Sequence, residues 1–203
     1  MKRPRARRLT LLAVLTAATI GAAACGSSTT PGQSQPTPGQ SSTSGSPTAT
    51  PTANPVSCPG GWRTGPLTVT RQIAVPPVPV ATGIRTGTHS DCRFDRLVID
   101  ISGVNPGYSV SFVSQVTHDA SGTPVRLPGS TFLLMRLTPA QGHGATGATG
   151  LPQHVQLVSY PMLRGYAVAG DFEGVLSIGL GLANGTRYRV GELPGRIYID
   201  VAW

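Results

Sequence analysis

Between residues 58 and 203, apolar residues recur at every second position in short segments, and no helical stripe of eleven or more residues competes with them. Period two is the signature of a strand with one buried face and one wet face. Residues 96–101 place Leu97, Ile99 and Ile101 on one side, and residues 108–112 do the same with Tyr108, Val110 and Phe112. Segments 67–71, 131–137, 155–160, 175–182 and 188–190 read alike, and 196–203 aligns Ile197, Ile199, Val201 and Trp203. Gly and Pro, 26 and 19 in number, break these runs about every ten residues. The pattern predicts an all-β domain over 58–203, a β-sandwich of two mainly antiparallel sheets whose inward rows meet in one core. Residues 139–152, which contain Gly-Ala-Thr-Gly-Ala-Thr-Gly, read as a flexible loop.

Two of these segments echo each other. Arg96-Leu-Val-Ile-Asp100-Ile and Arg196-Ile-Tyr-Ile-Asp200-Val match in residue type throughout. In each, Arg and Asp lie four apart and share the face opposite the aliphatic one. Paired antiparallel in register, Arg96 would oppose Asp200 and Arg196 would oppose Asp100, an arrangement favourable by some tenths of a kcal/mol per pair. The echo suggests an approximate internal two-fold repeat. The same four side chains are candidates for a polar binding patch, with simple cross-strand pairing as the plainer alternative.

The first 57 residues obey a different logic. Residues 1–8 are cationic, 9–20 are apolar, and Gly21, Ala22, Ala23 and Ala24 precede Cys25. This is a secretory signal whose apolar run is too short to span a bilayer. A cysteine directly after small residues is similar to the bacterial lipobox, although Ala22 stands where Leu is usual. That reading makes 1–24 a lipoprotein signal and Cys25 the site of a diacylglyceryl group, with ordinary secretion after Ala24 as the alternative. Of residues 26–57, 28 are Ser, Thr, Pro, Gly or Gln and none is charged, so no core can form there. Residues 25–57 therefore read as a lipidated cysteine and a tether, about 30 Å long as a coil, whose composition also permits O-glycosylation. The expected location is the membrane, on its extracytoplasmic face.

Charge and chemistry narrow the function. The formal net charge of +8 suggests nucleic acid, but five of the 16 basic residues lie in the first eight positions, and the rest face eight acidic ones. The domain lacks the electrostatic footprint of a nucleic-acid binder. Cys58 and Cys92 are an even remainder in an exported chain, which points to a bridge between them, with two free thiols as the alternative. No spacing indicates a metal site or a cofactor, and His89, His118, His143 and His154 read as loop residues. No nucleophile elbow or phosphate loop is present. The best catalytic candidates are Asp171 and Glu173, which on a strand would point the same way, roughly 6–7 Å apart, within reach of glycoside chemistry. The flanking Gly170 and Gly174 fit a turn instead. Trp62, Tyr108, Tyr160, Tyr166 and Tyr198 are candidate stacking surfaces for sugars.

The stretches 91–100, Pro106-Gly-Tyr108, Asp171-Phe-Glu-Gly-Val through Gly181, and Arg196-Ile-Tyr-Ile-Asp200 resemble the AMIN-like domain of actinobacterial lipoproteins, a group similar to the AMIN domain of cell-wall amidases and secretion pores. The resemblance covers roughly 58–203. It implies a β-sandwich that attaches to the envelope, with peptidoglycan or an envelope protein as partner and no chemistry of its own. Arg96, Asp100, Tyr108, Asp171, Glu173, Arg196 and Asp200 are the residues expected to take part. The alternatives are a carbohydrate-active hydrolase using Asp171 and Glu173, and a carrier for a small apolar ligand held inside the sandwich.

Overall fold

The alternating segments become strands in the structure, a computed structural model that describes residues 57–203. The signal, Cys25 and the tether up to residue 56 lie outside the described residues. Ten strands follow in chain order: β1 (Leu67–Val69), β2 (Val80–His89), β3 (Phe94–Ser102), β4 (Gly107–Val113), β5 (Thr131–Thr138), β6 (Gln156–Leu157), β7 (Leu163–Phe172), β8 (Val175–Leu182), β9 (Tyr188–Leu193) and β10 (Arg196–Ala202). One short 3-10 turn, Ser90–Cys92, joins β2 to β3. A six-stranded sheet has the order β1-β4-β5-β8-β7-β6 and a four-stranded sheet the order β2-β3-β10-β9, antiparallel throughout.

The inward rows meet as the alternation requires. Leu97, Ile99, Ile197 and Ile199 of the smaller sheet and Leu133, Met135, Leu137, Leu176, Ile178 and Leu180 of the larger are all 0% exposed and belong to one core. Side chains fill the space in which a ligand carrier would hold its cargo. Two polar side chains tie the layers. Buried Asp95 on β3 accepts the Met162 and Leu163 N–H groups at 2.6 and 2.8 Å, where β7 begins. Tyr188 on β9 donates its hydroxyl towards the carbonyls of Gly65 and Val110. The expected bridge is present: Cys58 and Cys92 are joined, with Cα atoms 5.3 Å apart. In the chain-entropy picture, closing a loop of this length stabilises by roughly 3–4 kcal/mol.

The two sheets differ in what covers their outer faces. The connection between β4 and β5 folds across the larger sheet, and Val116, Val125 and Leu127 form a second small core with Leu134, Ala167 and Ala169. Glycines on β8 make that approach possible. A Cβ at Gly179 would strike Val116, and one at Gly181 would strike the Pro128 carbonyl. Among the described residues, the outer face of the smaller sheet has no such cover apart from the segment carrying Trp62, where Arg63 and Tyr188 exchange main-chain hydrogen bonds of 2.7 and 2.9 Å.

The strand order also clarifies the internal repeat. Each sheet is symmetric about a central antiparallel pair, β5/β8 in one and β3/β10 in the other, with hairpins β4–β5 and β7–β8 or β2–β3 and β9–β10 flanking it. The chain visits the hairpins in opposite orders in its two halves. The likeness is therefore one of spatial arrangement and not a sequential duplication.

Some segments depart from expectation. β2 and β7 carry no clean alternation: β2 has Gly83 and Gly87 and a bulge after Ala81, and β7 has irregularities on both sides of its middle, near Gly165 and Gly170. A bulge inserts one residue and moves the following side chains to the other face, which erases period two. The expected strand over 155–160 shortens to β6. Residues 139–152 are pinned and not free: Ala140 N–H bonds the Gly174 carbonyl, Gln141 N–H bonds Pro79, Ala81 N–H bonds Gln141, and Thr149 Oγ1 donates to Gly142. His89 ends β2 instead of lying in a loop.

Candidate functional site

The register inferred from the Arg/Asp echo is the register observed. In the β3/β10 ladder Arg96 lies opposite Asp200 and Arg196 opposite Asp100. Inward-facing Leu97, Ile99, Ile197 and Ile199 anchor both strands to the core, so the alternate residues must project from the bare outer face.

On that face Asp200 is 0% exposed. A carboxylate so buried is costly unless paired and hydrogen-bonded. Arg96 meets it with both prongs, Nε at 2.6 Å and Nη2 at 2.9 Å. Arg189, on the neighbouring strand β9 and directly across from Asp200, supplies a second guanidinium. Aromatic rings enclose these planar cations. The Arg96 guanidinium lies 4.1 Å from the Tyr198 ring centre and 5.3 Å from Phe94, and that of Arg189 lies 5.5 Å from Trp62 and 5.4 Å from Phe94. Trp62 tilts against Phe94 at 6.1 Å, and His89 stacks on it at 4.4 Å. The Tyr198 ring lies flat because Gly191, its cross-strand neighbour, leaves room; a Cβ there would run into the ring. Cation–π contacts of this kind contribute about 0.5–2 kcal/mol each, more as water is excluded.

A second, wetter cluster sits beside the first. Asp100 accepts Arg85 Nε and Nη2, both at 2.8 Å, and Arg196 Nε at 3.1 Å. The hydrogen bond from Arg85, helped by its charge and by the hydrogen bond and charge of Arg196, holds the Asp100 carboxyl below its usual range against the opposing effect of burial. Across the face, four guanidiniums share two carboxylates. Two positive charges remain uncompensated; the rings lie against Arg96 and Arg189, while Arg85 and Arg196 are exposed. The arrangement suits a ligand that offers flat apolar surfaces and anionic groups, such as a glycan bearing carboxylates or phosphates.

The other expected site residues lie elsewhere. Tyr108 faces inward and is buried. Its hydroxyl donates to Glu192 at 3.0 Å, within a network in which Arg71 Nη2 reaches both Glu192 oxygens at 2.9 and 2.8 Å and the Asn105 amide bonds the Leu193 and Arg196 carbonyls. Burial, reinforced by Glu192, pushes the Tyr108 hydroxyl up to about 12. This cluster fastens the loops at one end of the sandwich, with the Tyr108 hydroxyl engaged by Glu192.

The Asp171/Glu173 pair does not form. Glu173 and Gly174 make the two-residue turn of the β7–β8 hairpin, both with positive φ (49° and 74°), the backbone demanded by a tight primed turn. Glu173 is thus off the strand and no partner in line with Asp171. Asp171 accepts Gly142 N–H at 3.0 Å and pairs with His143 Nδ1 at 2.6 Å, which straps the 139–152 loop to β7. It borders a cleft of about 470 Å³ with His118, His143 and Thr149. Arg85, Arg189, Phe94 and His89 are the members of the outer face that the sequence did not single out. Arg189 becomes meaningful only once β9 is placed in register against β10, and Arg85 lies on the unrecognised β2.

The family model of the AMIN-like domain matches residues 79–203. The chain belongs to the AMIN-like domain family. No curated protein and no solved structure matches it. Membership points to a non-catalytic binding domain of the cell envelope. Within this AMIN-like domain the match takes in all the strands of the smaller sheet, while Cys58, Trp62 and β1 precede it.

Glu192 generates a pH prediction. Burial pushes its carboxyl up, but the hydrogen bonds from Arg71, Tyr108 and Asn105 outweigh that and hold it below its ordinary value. A depressed folded value means stabilisation that is complete above the unfolded pKa of about 4.3 and is lost as pH falls through the lower folded one. Glu192→Gln should unfold at lower urea than wild type at pH 7, by roughly 1–2 kcal/mol, and the gap should close below about pH 4. A gap that stays constant from pH 7 to pH 3 would contradict the assignment.

Proposed function

We propose that the chain is an envelope lipoprotein, anchored in the membrane by a diacylglyceryl group on Cys25, whose AMIN-like domain binds peptidoglycan through the outer face of the four-stranded sheet. The observation that carries the reading is the uncompensated positive charge of four guanidiniums over two carboxylates, set on Trp62, Phe94 and Tyr198. Sugar rings stack on the accessible rings of Trp62 and Tyr198, and the carboxylates of peptide stems meet Arg85 and Arg196. A tether of the composition of 26–57 gives the domain about 30 Å of reach from the bilayer. The role is retention and not turnover, since Asp171 is spent on the loop strap and Glu173 on a turn.

The full chain, extracted in detergent and mixed with purified peptidoglycan, should sediment with the polymer and be released by salt as charge contacts are screened. The double variant Arg85→Ala/Arg196→Ala should reduce the bound fraction about tenfold at low salt. A wild-type chain left in the supernatant would overturn the assignment of ligand. Intact mass of the membrane-extracted chain should begin at Cys25 and carry the diacylglyceryl increment; an unmodified amino-terminal thiol would overturn the anchor.

A further inference from the structure

Strand β2 is an edge strand of ten residues, and its outer side is only partly closed. The 139–152 loop covers the beginning: Ala81 N–H and the Pro79 carbonyl bond Gln141, and Gly150 packs against the Thr82 carbonyl. These bonds establish which residues face outward. Ala81 points its main-chain groups away from β3, and Ile101 likewise points its own away from β2, towards Gly195. Antiparallel alternation, carried past the bulge, then directs Gly83, Arg85, Gly87 and His89 to β3 and leaves Ile84, Thr86 and Thr88 facing outward. Those three residues have no main-chain partner on that side among the described residues. Native sheets blunt such edges with Pro, Lys or bulges because a bare ladder is a template for another strand. From Gly83 to His89, β2 has no Pro, Lys or bulge, and its one charged side chain that does not titrate, Arg85, is turned onto Asp100 of its own sheet.

The side chains along this stretch match a second copy of themselves. Consider two β2 strands antiparallel about a two-fold axis through Thr86. On the outer face Arg85 then lies opposite Gly87 of the other copy, and His89 opposite Gly83: a large side chain meets a glycine at each position. A Cβ placed on Gly87 meets nothing within 4 Å, so the opposite Arg85 has open space to occupy. A Cβ on Gly83 would meet only Asp100 Oδ2, at an ordinary contact distance of 3.8 Å, so the position opposite His89 is open as well. On the inner face Ile84 meets Thr88, and Thr86 meets Thr86, all β-branched and suited to cross-strand packing. Moving the axis to Arg85 would set two arginines against each other, and moving it to Gly87 would pair Arg85 with His89. The Thr86 register is also the one in which the outward N–H and C=O groups of Ile84, Thr86 and Thr88 bond reciprocally, about six hydrogen bonds in all.

We infer that β2 is a self-association edge, through which two copies of this chain join their four-stranded sheets into one continuous eight-stranded sheet. The aromatic and arginine faces of the two copies then lie on the same side of that sheet, doubling the surface offered to a polymer with repeating units. Two tethered copies engaging one strand of polymer gain avidity without any new contact.

The test uses the full chain in detergent and variants that leave the fold of one copy alone. Wild type should sediment as a dimer at tens of micromolar, a concentration typical of modest interfaces. Gly87→Lys, at a site with open space and ordinary backbone, sets a cation opposite Arg85 twice across the axis and should weaken dimerisation about tenfold. Thr86→Cys should give an intermolecular disulfide under mild oxidation that wild type does not form. A wild-type chain that stays monomeric at such concentrations would overturn the proposal. So would a dimer that is unaffected by Gly87→Lys, or a Thr86→Cys chain that does not cross-link while wild type remains dimeric.

Discussion

A carboxylate with no exposed surface, on the outside of a sheet, is the constraint from which the rest of this domain follows. Asp200 is excluded from water by the groups that neutralise it. Desolvating a carboxylate in an apolar setting costs several kcal/mol, and only close, well-aligned partners offset it. Arg96 and Arg189 supply that alignment from the strands on either side. Each guanidinium, once drawn down to the carboxylate, presents its flat faces to rings, and Trp62, Phe94 and Tyr198 close over them. Three strands and the segment before β1 are thereby locked together from above, while the aliphatic rows lock them from below.

The two sheets divide the labour. The larger one is wrapped on its outer face by the β4–β5 connection, admitted by Gly179 and Gly181. Among the described residues the smaller one is covered on its outer face only by the segment carrying Trp62. It has half-buried rings lying against Arg96 and Arg189, and arginines that carry more charge than the two aspartates cancel.

The legibility of these features followed physical rules. β3 and β10 were readable to the residue because their inner rows are purely aliphatic and their outer rows carry complementary charges, so only one register satisfies both. β2 and β7 were not readable, because a bulge reverses the facing of all that follows and glycine contributes no apolar signal. Glu173 could be read either way, since it continues the β7 alternation, but Gly174 beside it signals a turn, and the two-residue turn begins at Glu173. Tyr108 belongs to the alternating row as expected, yet that row faces the core, and its hydroxyl serves Glu192 and not a ligand. Arg189 was invisible because its meaning depends on the pairing of β9 with β10, a relation between segments that no local pattern encodes.

Urea unfolding of Asp200→Ala, compared with Arg196→Ala, addresses the central claim most directly. Removing Asp200 strands two partly buried guanidiniums, and the loss should reach about 3–5 kcal/mol. Removing the exposed Arg196 should cost no more than about 1 kcal/mol. If Asp200→Ala unfolds within about 0.5 kcal/mol of wild type, the buried carboxylate does not organise this sheet and the account fails.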